Sequence, residues 1–196
     1  MRTENAIGCS HKSQRELAAL QIDISNAKPI TPVVLCLLGM SSTPRTLGII
    51  SDTHGRLRPE AKEALYGSDL IIHAGDVGNL EIVAELRAIA PLFVVRGNVD
   101  QGKWASEIPA TEIIQFGNHS IYVLHDLHEL NLDPESAGFN AVITGHTHRA
   151  HEYRRGKVLF LNPGSAGPRR FDLPITVARL HVAKEPWSVE LIRLQD

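Results

Sequence analysis

Four apolar runs rich in β-branched residues each end in a short polar cluster, and this repeat constrains the fold more than anything else in the chain. The runs are 47–50, 70–72, 92–95 and 141–144. They lead into Asp52-Thr53-His54, Gly75-Asp76, Gly97-Asn98-Val99-Asp100 and Gly145-His146-Thr147-His148. Runs of this length and branching suit buried parallel strands. Open α/β folds place their sites beyond the carboxyl ends of such strands, so the four clusters are expected to share one sheet rim. Two carboxylates, an asparagine and three histidines meeting there make a site for hard-to-borderline cations, two rather than one.

The segments between the runs support this topology. Pro59 stands at a helix-start position and 60–66 continues as a helix. Asn79 is a good N-cap for a helix over 80–90, with Leu80, Val83, Ala84 and Leu86 at helical spacing. The strand–helix alternation predicts a parallel core with right-handed crossovers. After Asp100 the pattern changes. Residues 111–116, a Gly117-Asn118 turn and 120–124 read as a β-hairpin. Asp133-Pro134 opens one helical turn, 157–161 is a further strand, and 175–182 with 187–194 reads as a closing hairpin. That is too many strands for one sheet between helices, so two packed sheets with helices outside are expected.

Residues 1–44 differ from the rest. They hold both cysteines, Cys9 and Cys36, and breaks at Pro29 and Pro32; only 13–20 could form a short helix. Two readings stand: an N-terminal extension, poorly ordered and preceding a natural start at Met40, or a true appendage to the domain over 45–196. A net charge of −2 gives no strong nucleic-acid signal. The longest apolar stretch, 33–40, is far short of the ~20 residues that cross a bilayer. Two cysteines build no disulfide framework, and with no targeting signal the expected compartment is the cytoplasm.

Taken singly, each cluster has a plain alternative. An Asp-x-His beyond a strand is most often a turn with a surface histidine, and Gly-Asp or Gly-Asn is common turn chemistry. Gly-His-Thr-His is the most telling, because two histidines one residue apart beyond a strand seldom serve packing. Four independent turns carrying ligand side chains in this order are hard to reconcile with coincidence. Imidazole and carboxylate without thiolate favour Mn²⁺, Fe²⁺, Co²⁺, Ni²⁺ or Zn²⁺ over a closed structural zinc site.

The ordered set Asp-x-His, Gly-Asp, Gly-Asn-x-Asp, a strand-end histidine and Gly-His-Thr-His resembles the calcineurin-like metallophosphoesterases. The Gly-Asn-x-Asp variant, the small size and Asn162-Pro163-Gly164-Ser165 resemble their compact bacterial and archaeal phosphodiesterase branch. The resemblance spans about residues 45–172. It implies a four-layer αββα sandwich of two mixed sheets flanked by helices, and a dinuclear centre with Mn²⁺ foremost. By motif, Asp52, His54 and His148 would bind one ion, Asp76 would bridge, and Asn98, His125 and His146 would complete the second. His54, Asp76 and Asn98 would serve catalysis directly. Where the family usually shows His-Gly-His, this chain has His125-Asp126-Leu127-His128. His125 directly follows its strand and is preferred; His128 reads as a solvated loop residue. Many relatives carry histidine after the motif asparagine to assist the leaving group. Here Val99 stands there and donates no proton, leaving that role unassigned.

Other residues keep two readings each. Asp100 either orients a ligand or caps the following turn, and His73 either supports the site or is a satisfied core histidine. Arg169, Arg170 and Arg96 either meet a substrate phosphate or lie solvated. His11, His119, His151 and His181 read as surface, and Trp187 as packing within the terminal hairpin.

The expected activity is hydrolysis of small phosphodiesters, nucleotide-derived ones included, by a hydroxide bridging the two ions. No long insertion encloses the site. A phosphomonoesterase on the same centre is the nearest alternative. A non-catalytic scaffold, as in the retromer branch of the family, is the other; there ligand side chains have been lost, whereas here every expected position holds a competent one. The sequence leaves self-association into a homo-oligomer open.

Overall fold

The computed structural model describes residues 45–170 and 172–195. The expectations for 1–44, including the helix over 13–20 and the Met40 start, lie outside the described residues, as do Cys9, Cys36 and His11.

The first three apolar runs form adjacent parallel strands: β1 (Thr46–Ile50), β2 (Leu70–His73) and β3 (Leu92–Val94). Between them run α1 (Pro59–Leu65) and α2 (Leu80–Arg87). Pro59 opens α1, and the Asn79 side chain accepts from the Ile82 N–H as the N-cap of α2. This second helix ends at Arg87, before the expected Ala90. It buries Ile82, Val83 and Leu86 and leaves Leu80 exposed, so its buried stripe is rotated from the expected one.

After a short α3 (Lys103–Ser106) the chain makes the expected hairpin of β4 (Thr111–Phe116) and β5 (His119–Leu124). A single 3-10 turn at Leu127–Glu129 and further turns lead to β6 (Ala141–Ile143). β7 (His151–Arg155) and β8 (Val158–Asn162) pair antiparallel. β9 (Thr176–His181) and β10 (Ser188–Arg193) close the fold as a hairpin. β7 was not foreseen. It is an edge strand with all five residues exposed, so it carries no apolar alternation to read.

Two five-stranded mixed sheets result, ordered β10-β9-β1-β2-β3 and β4-β5-β6-β8-β7. Period-two alternation sorts each strand between two cores. Leu47, Ile49, Leu70 and Ile72 of the first sheet meet Ile121, Val123, Ile143 and Leu161 of the second in the central core. Ile50 and Ile71 face outward beneath Ala61, Leu65, Val83 and Leu86 of the two long helices. Beyond the second sheet, Tyr122, Val142 and Phe160 are covered by Leu127, Leu130, Leu132 and Phe139. The layering is the four-layer arrangement the motifs implied, with a 3-10 turn and loops rather than an α-helix in the last layer.

Two placements differ from the sequence reading. Trp187 packs beyond its own hairpin, sharing the central core with Leu180 and Val182 and stacking its ring 5.7 Å from Phe116 of the other sheet. His119 is half-buried rather than on the surface, edge-on to Trp187 at 5.1 Å. Both follow from the turn ends of the two hairpins meeting, where aromatic rings fill the gap between sheets.

Candidate metal centre

Backbone strain marks the site before any side chain is considered. Among the described residues, the non-glycine positions with positive φ are Asp52, His54, Asp76, His146 and His148. Each costs roughly 1–2 kcal/mol relative to an ordinary conformation. All five are residues that the motifs nominated as ligands. Strain confined to one place and over-determined by its surroundings is the mark of a pre-organised site.

The loops that hold these residues lock to one another. Asp52 N–H donates to Gly75 O at 3.0 Å, His54 N–H to Asp76 O at 2.9 Å, and Gly145 N–H to His125 O at 2.9 Å. The expectation of a single sheet rim needs correction. The ends of β1, β2 and β3 belong to one sheet and those of β5 and β6 to the other, so the site straddles both. Close approach across that seam requires glycine. A Cβ on Gly75 would run into the His125 ring, and one on Gly145 into Ser51 and Asp52.

Seven side chains converge as the motifs required. Asp52 Oδ1 lies 3.1 Å from His148 Nε2 and 3.8 Å from His54 Nε2, and those two nitrogens stand 3.1 Å apart. Asp76 Oδ2 is 3.8 Å from His54 Nε2 and 3.3 Å from His125 Nε2, placing it between two groups of donors. Asn98 Oδ1 faces His125 Nε2 at 3.2 Å and His146 Nδ1 at 3.1 Å. His128 is not among them: its side chain is 87% exposed and bonds to Asp126.

The electrostatics follow from burial and close charges. Burial, aided by Arg170, holds the His54 imidazole below its usual value against the pull of Asp76 and Asp52. Burial also pushes His125 down, but the Asp76 carboxylate and the Ala74 carbonyl outweigh it and leave His125 raised. Asp76 is pushed up by burial, yet bonds from His125 and from the Val99 N–H bring it below the ordinary carboxylate range.

A second layer of residues explains the rigidity, and the sequence reading missed most of it. Ser51 Oγ donates to Asp52 Oδ2 at 2.6 Å, and Ser165 Oγ to Asp52 O at 3.0 Å. Asn162 donates to Gly145 O and Thr147 Oγ1, tying down the loop of His146 and His148. Asp100 accepts from the N–H groups of Val77, Gly78 and Gly97, so it braces two ligand loops and does not cap the turn after it. His73 is fully buried, with Nε2 2.9 Å from Thr53 Oγ1 and Nδ1 accepting the Gly75 N–H. It is thus both a satisfied core histidine and a support. The sequence carries partial signals for this layer: Asp100 and His73 each admit a supporting role, and Asn162 and Ser165 lie in the run that resembles the family.

The remaining candidates scatter. Arg96 is exposed and bonds to Ile108 O, and Arg170 is exposed near His54. Arg169 is exposed as well. His151 lies on the edge strand, exposed, and His181 faces Glu190 at 3.6 Å.

The donor set fits divalent cations. Asp52 Oδ1 and His148 Nδ1 are buried without a hydrogen-bond partner, a costly state for polar atoms unless something else satisfies the cluster. Asp52, His54 and His148 form one compact group of potential ligand atoms, and Asp52, Asp76 and His125 a second. Nitrogens bound at about 2.0–2.1 Å to one ion stand about 3 Å apart, as the His54 and His148 nitrogens do.

Residues 46–185 match the model of the calcineurin-like phosphoesterase superfamily domain. The chain belongs to that superfamily. It is, by membership, a metal-dependent phosphoesterase, and the Asp/His cluster has the donors to hold a divalent metal. A probable metallophosphoesterase of Methanothermobacter thermautotrophicus is 31% identical over 159 residues, covering 75% of this chain and 91% of that protein. A phosphodiesterase of Methanocaldococcus jannaschii is 28% identical over 137 residues, covering 60% and 82%. In three dimensions, Vacuolar Protein Sorting 29 from Cryptosporidium parvum shares the fold, with a TM-score of 0.61, 19% identity, and coverage of 79% and 100%. No helix among the described residues is long and apolar enough to cross a membrane.

Proposed function

We propose that this metallophosphoesterase hydrolyses small phosphodiesters at a two-cation centre. Asp52, His54 and His148 hold one ion, Asn98, His125 and His146 hold the other, and Asp76 lies between them. The observation that carries this reading is the position of Asp76, whose Oδ2 stands 3.8 Å from His54 Nε2 and 3.3 Å from His125 Nε2. A single carboxylate facing imidazoles of both groups is placed to bridge. Two divalent cations bound there, Mn²⁺ foremost and Ni²⁺, Co²⁺, Fe²⁺ or Zn²⁺ in its place, supply Lewis acidity toward phosphoryl oxygens and lower the pKa of water.

The chain's own residues set the rest. The strained loops hold the donors before substrate arrives, so little reorganisation is needed during reaction. Asn98 and Val99 are exposed and His146 half-buried, leaving the centre open to a small ester on that side. Val99 presents an apolar side chain at this rim while its N–H holds Asp76, so no proton donor stands there for the leaving oxygen. Diesters with good leaving groups are therefore the favoured substrates, nucleotide-derived ones among them. The name of the Methanocaldococcus relative supports the diester preference. The low cysteine content supports a reducing compartment, the cytoplasm.

The test is reconstitution. Chelator-treated full-length protein is expected to lose diester hydrolysis and regain it with Mn²⁺, and Asp76→Asn is expected to lose metal content along with turnover. A panel of monoesters, linear diesters and cyclic nucleotides separates a diesterase from a monoesterase. Full activity of metal-free protein would overturn the mechanism, and exclusive turnover of monoesters would overturn the substrate class.

A further inference from the structure

The loop after β5 carries a carboxylate that none of the roles above uses. Asp126 directly follows His125, and its Oδ1 accepts from the His128 N–H at 3.0 Å and meets His128 Nδ1 at 2.9 Å. The other oxygen turns the opposite way. Asp126 Oδ2 lies 3.7 Å from His146 Nε2. Nδ1 of that same ring is 3.1 Å from Asn98 Oδ1. His146 thus has one nitrogen toward the centre and one toward a braced carboxylate.

This ring needs an external support more than the others do. Its side chain is 38% exposed, against 11% for His54 and 5% for His125 and His148. Its ring meets the edge of His125 at 5.3 Å but stays more open to solvent than the buried rings. An imidazole free to turn, and free to exchange tautomers, is a poor ligand, because its lone pair must sit on one named nitrogen. A carboxylate accepting the outer N–H settles both questions at once.

We propose that Asp126 is the positioning residue of His146: Oδ2 accepts the Nε2–H, which fixes the tautomer and turns the Nδ1 lone pair toward Asn98 and the second cation. The 3.7 Å separation closes to hydrogen-bond length by a small rotation of an exposed ring. His128 contributes mainly through its backbone N–H, which anchors Oδ1 and so aims Oδ2. This assignment rests on the two-cation reading of the centre.

The test titrates Mn²⁺ into metal-free full-length protein by calorimetry. Asp126→Ala is expected to leave the tighter step unchanged and weaken the second about 10–100-fold, with kcat at fixed Mn²⁺ falling more than KM rises. Asp126→Asn keeps the volume and an acceptor for the His128 N–H but turns an amide NH2 toward Nε2, which favours the wrong tautomer, and is expected to weaken the same step at least as much. Thermal unfolding separates positioning from general structure. The metal-free midpoint should match the parent in Asp126→Asn and fall only by the lost cap of the 3-10 turn in Asp126→Ala, and in both the gain on adding Mn²⁺ should shrink. Parent-like titration of both variants, or equal loss of stability with and without Mn²⁺, overturns the assignment. His146→Ala is the control. If it loses the second step while the Asp126 variants keep it, only the role of Asp126 falls; if it keeps both steps, the ligand reading of His146 falls as well.

Discussion

His73 shows how one buried side chain serves packing and site together. It stands at the end of β2, fully enclosed, holding Thr53 between two ligand residues and the N–H of Gly75 beside a third. Burial pushes its imidazole from 6.5 down to about 4. Between those two values the unfolded chain takes up a proton that the folded chain refuses, so stability falls as pH drops from 6.5 toward 4 and levels off below. The difference amounts to about 3 kcal/mol at most. Denaturant unfolding of metal-free protein should show this slope, and His73→Gln should flatten it while lowering stability near neutral pH. An unchanged slope would remove His73 as its source. The sequence left His73 undecided between support and core because a histidine before Ala-Gly-Asp looks the same in both settings. Only the contacts show that the two roles coincide.

At the scale of single elements, the end of β5 decides which of two histidines enters the centre. Alternation along the strand carries Tyr122 and Leu124 to the outer core and Ile121 and Val123 to the inner one. His125, next in line and 4% exposed, therefore turns inward, where Nδ1 meets Ala74 O at 2.7 Å. Three residues later the chain has entered a 3-10 turn and His128 points to solvent. His125→Ala should empty or weaken the second cation site and cut turnover by orders of magnitude, since half of the phosphoryl clamp is lost. His128→Ala should retain its backbone N–H to Asp126 and change turnover little. Metal content and rates of the two variants check this, and reversed outcomes would move the ligand to His128. Elsewhere, element reading failed where the pattern was polar or the helix short. β7 exposes all five residues, and α2 ends after eight residues with its stripe rotated toward Ile82.

At the scale of the molecule, every proposed ligand, and every contact among the described residues that supports one, lies within 45–195. Residues 1–39 supply none of the motif residues. Protein starting at Met40 is expected to fold, bind two cations and turn over substrate as the full chain does. Insoluble or inactive protein would make the N-terminal segment part of the structure. The sequence by itself determined the order of every strand but β7 and of the helices α1 and α2, the pairing of five strand ends with ligand-type residues, and the family, because apolar periodicity and motif spacing are local properties that survive in one dimension. It did not determine that the strand ends come from two sheets rather than one, which depends on how the sheets pack. Nor did it reveal Ser51, Asn162 and Asp126 as braces, or decide between the two readings of Asp100, since hydrogen bonds between distant loops leave no periodic trace. The left-handed backbone at Asp52, His54, Asp76, His146 and His148 is the clearest case. Asp and His enter this region more readily than most residues, but nothing local requires it; the hydrogen bonds that lock the ligand loops together hold it there, and the packed core on either side sustains its cost.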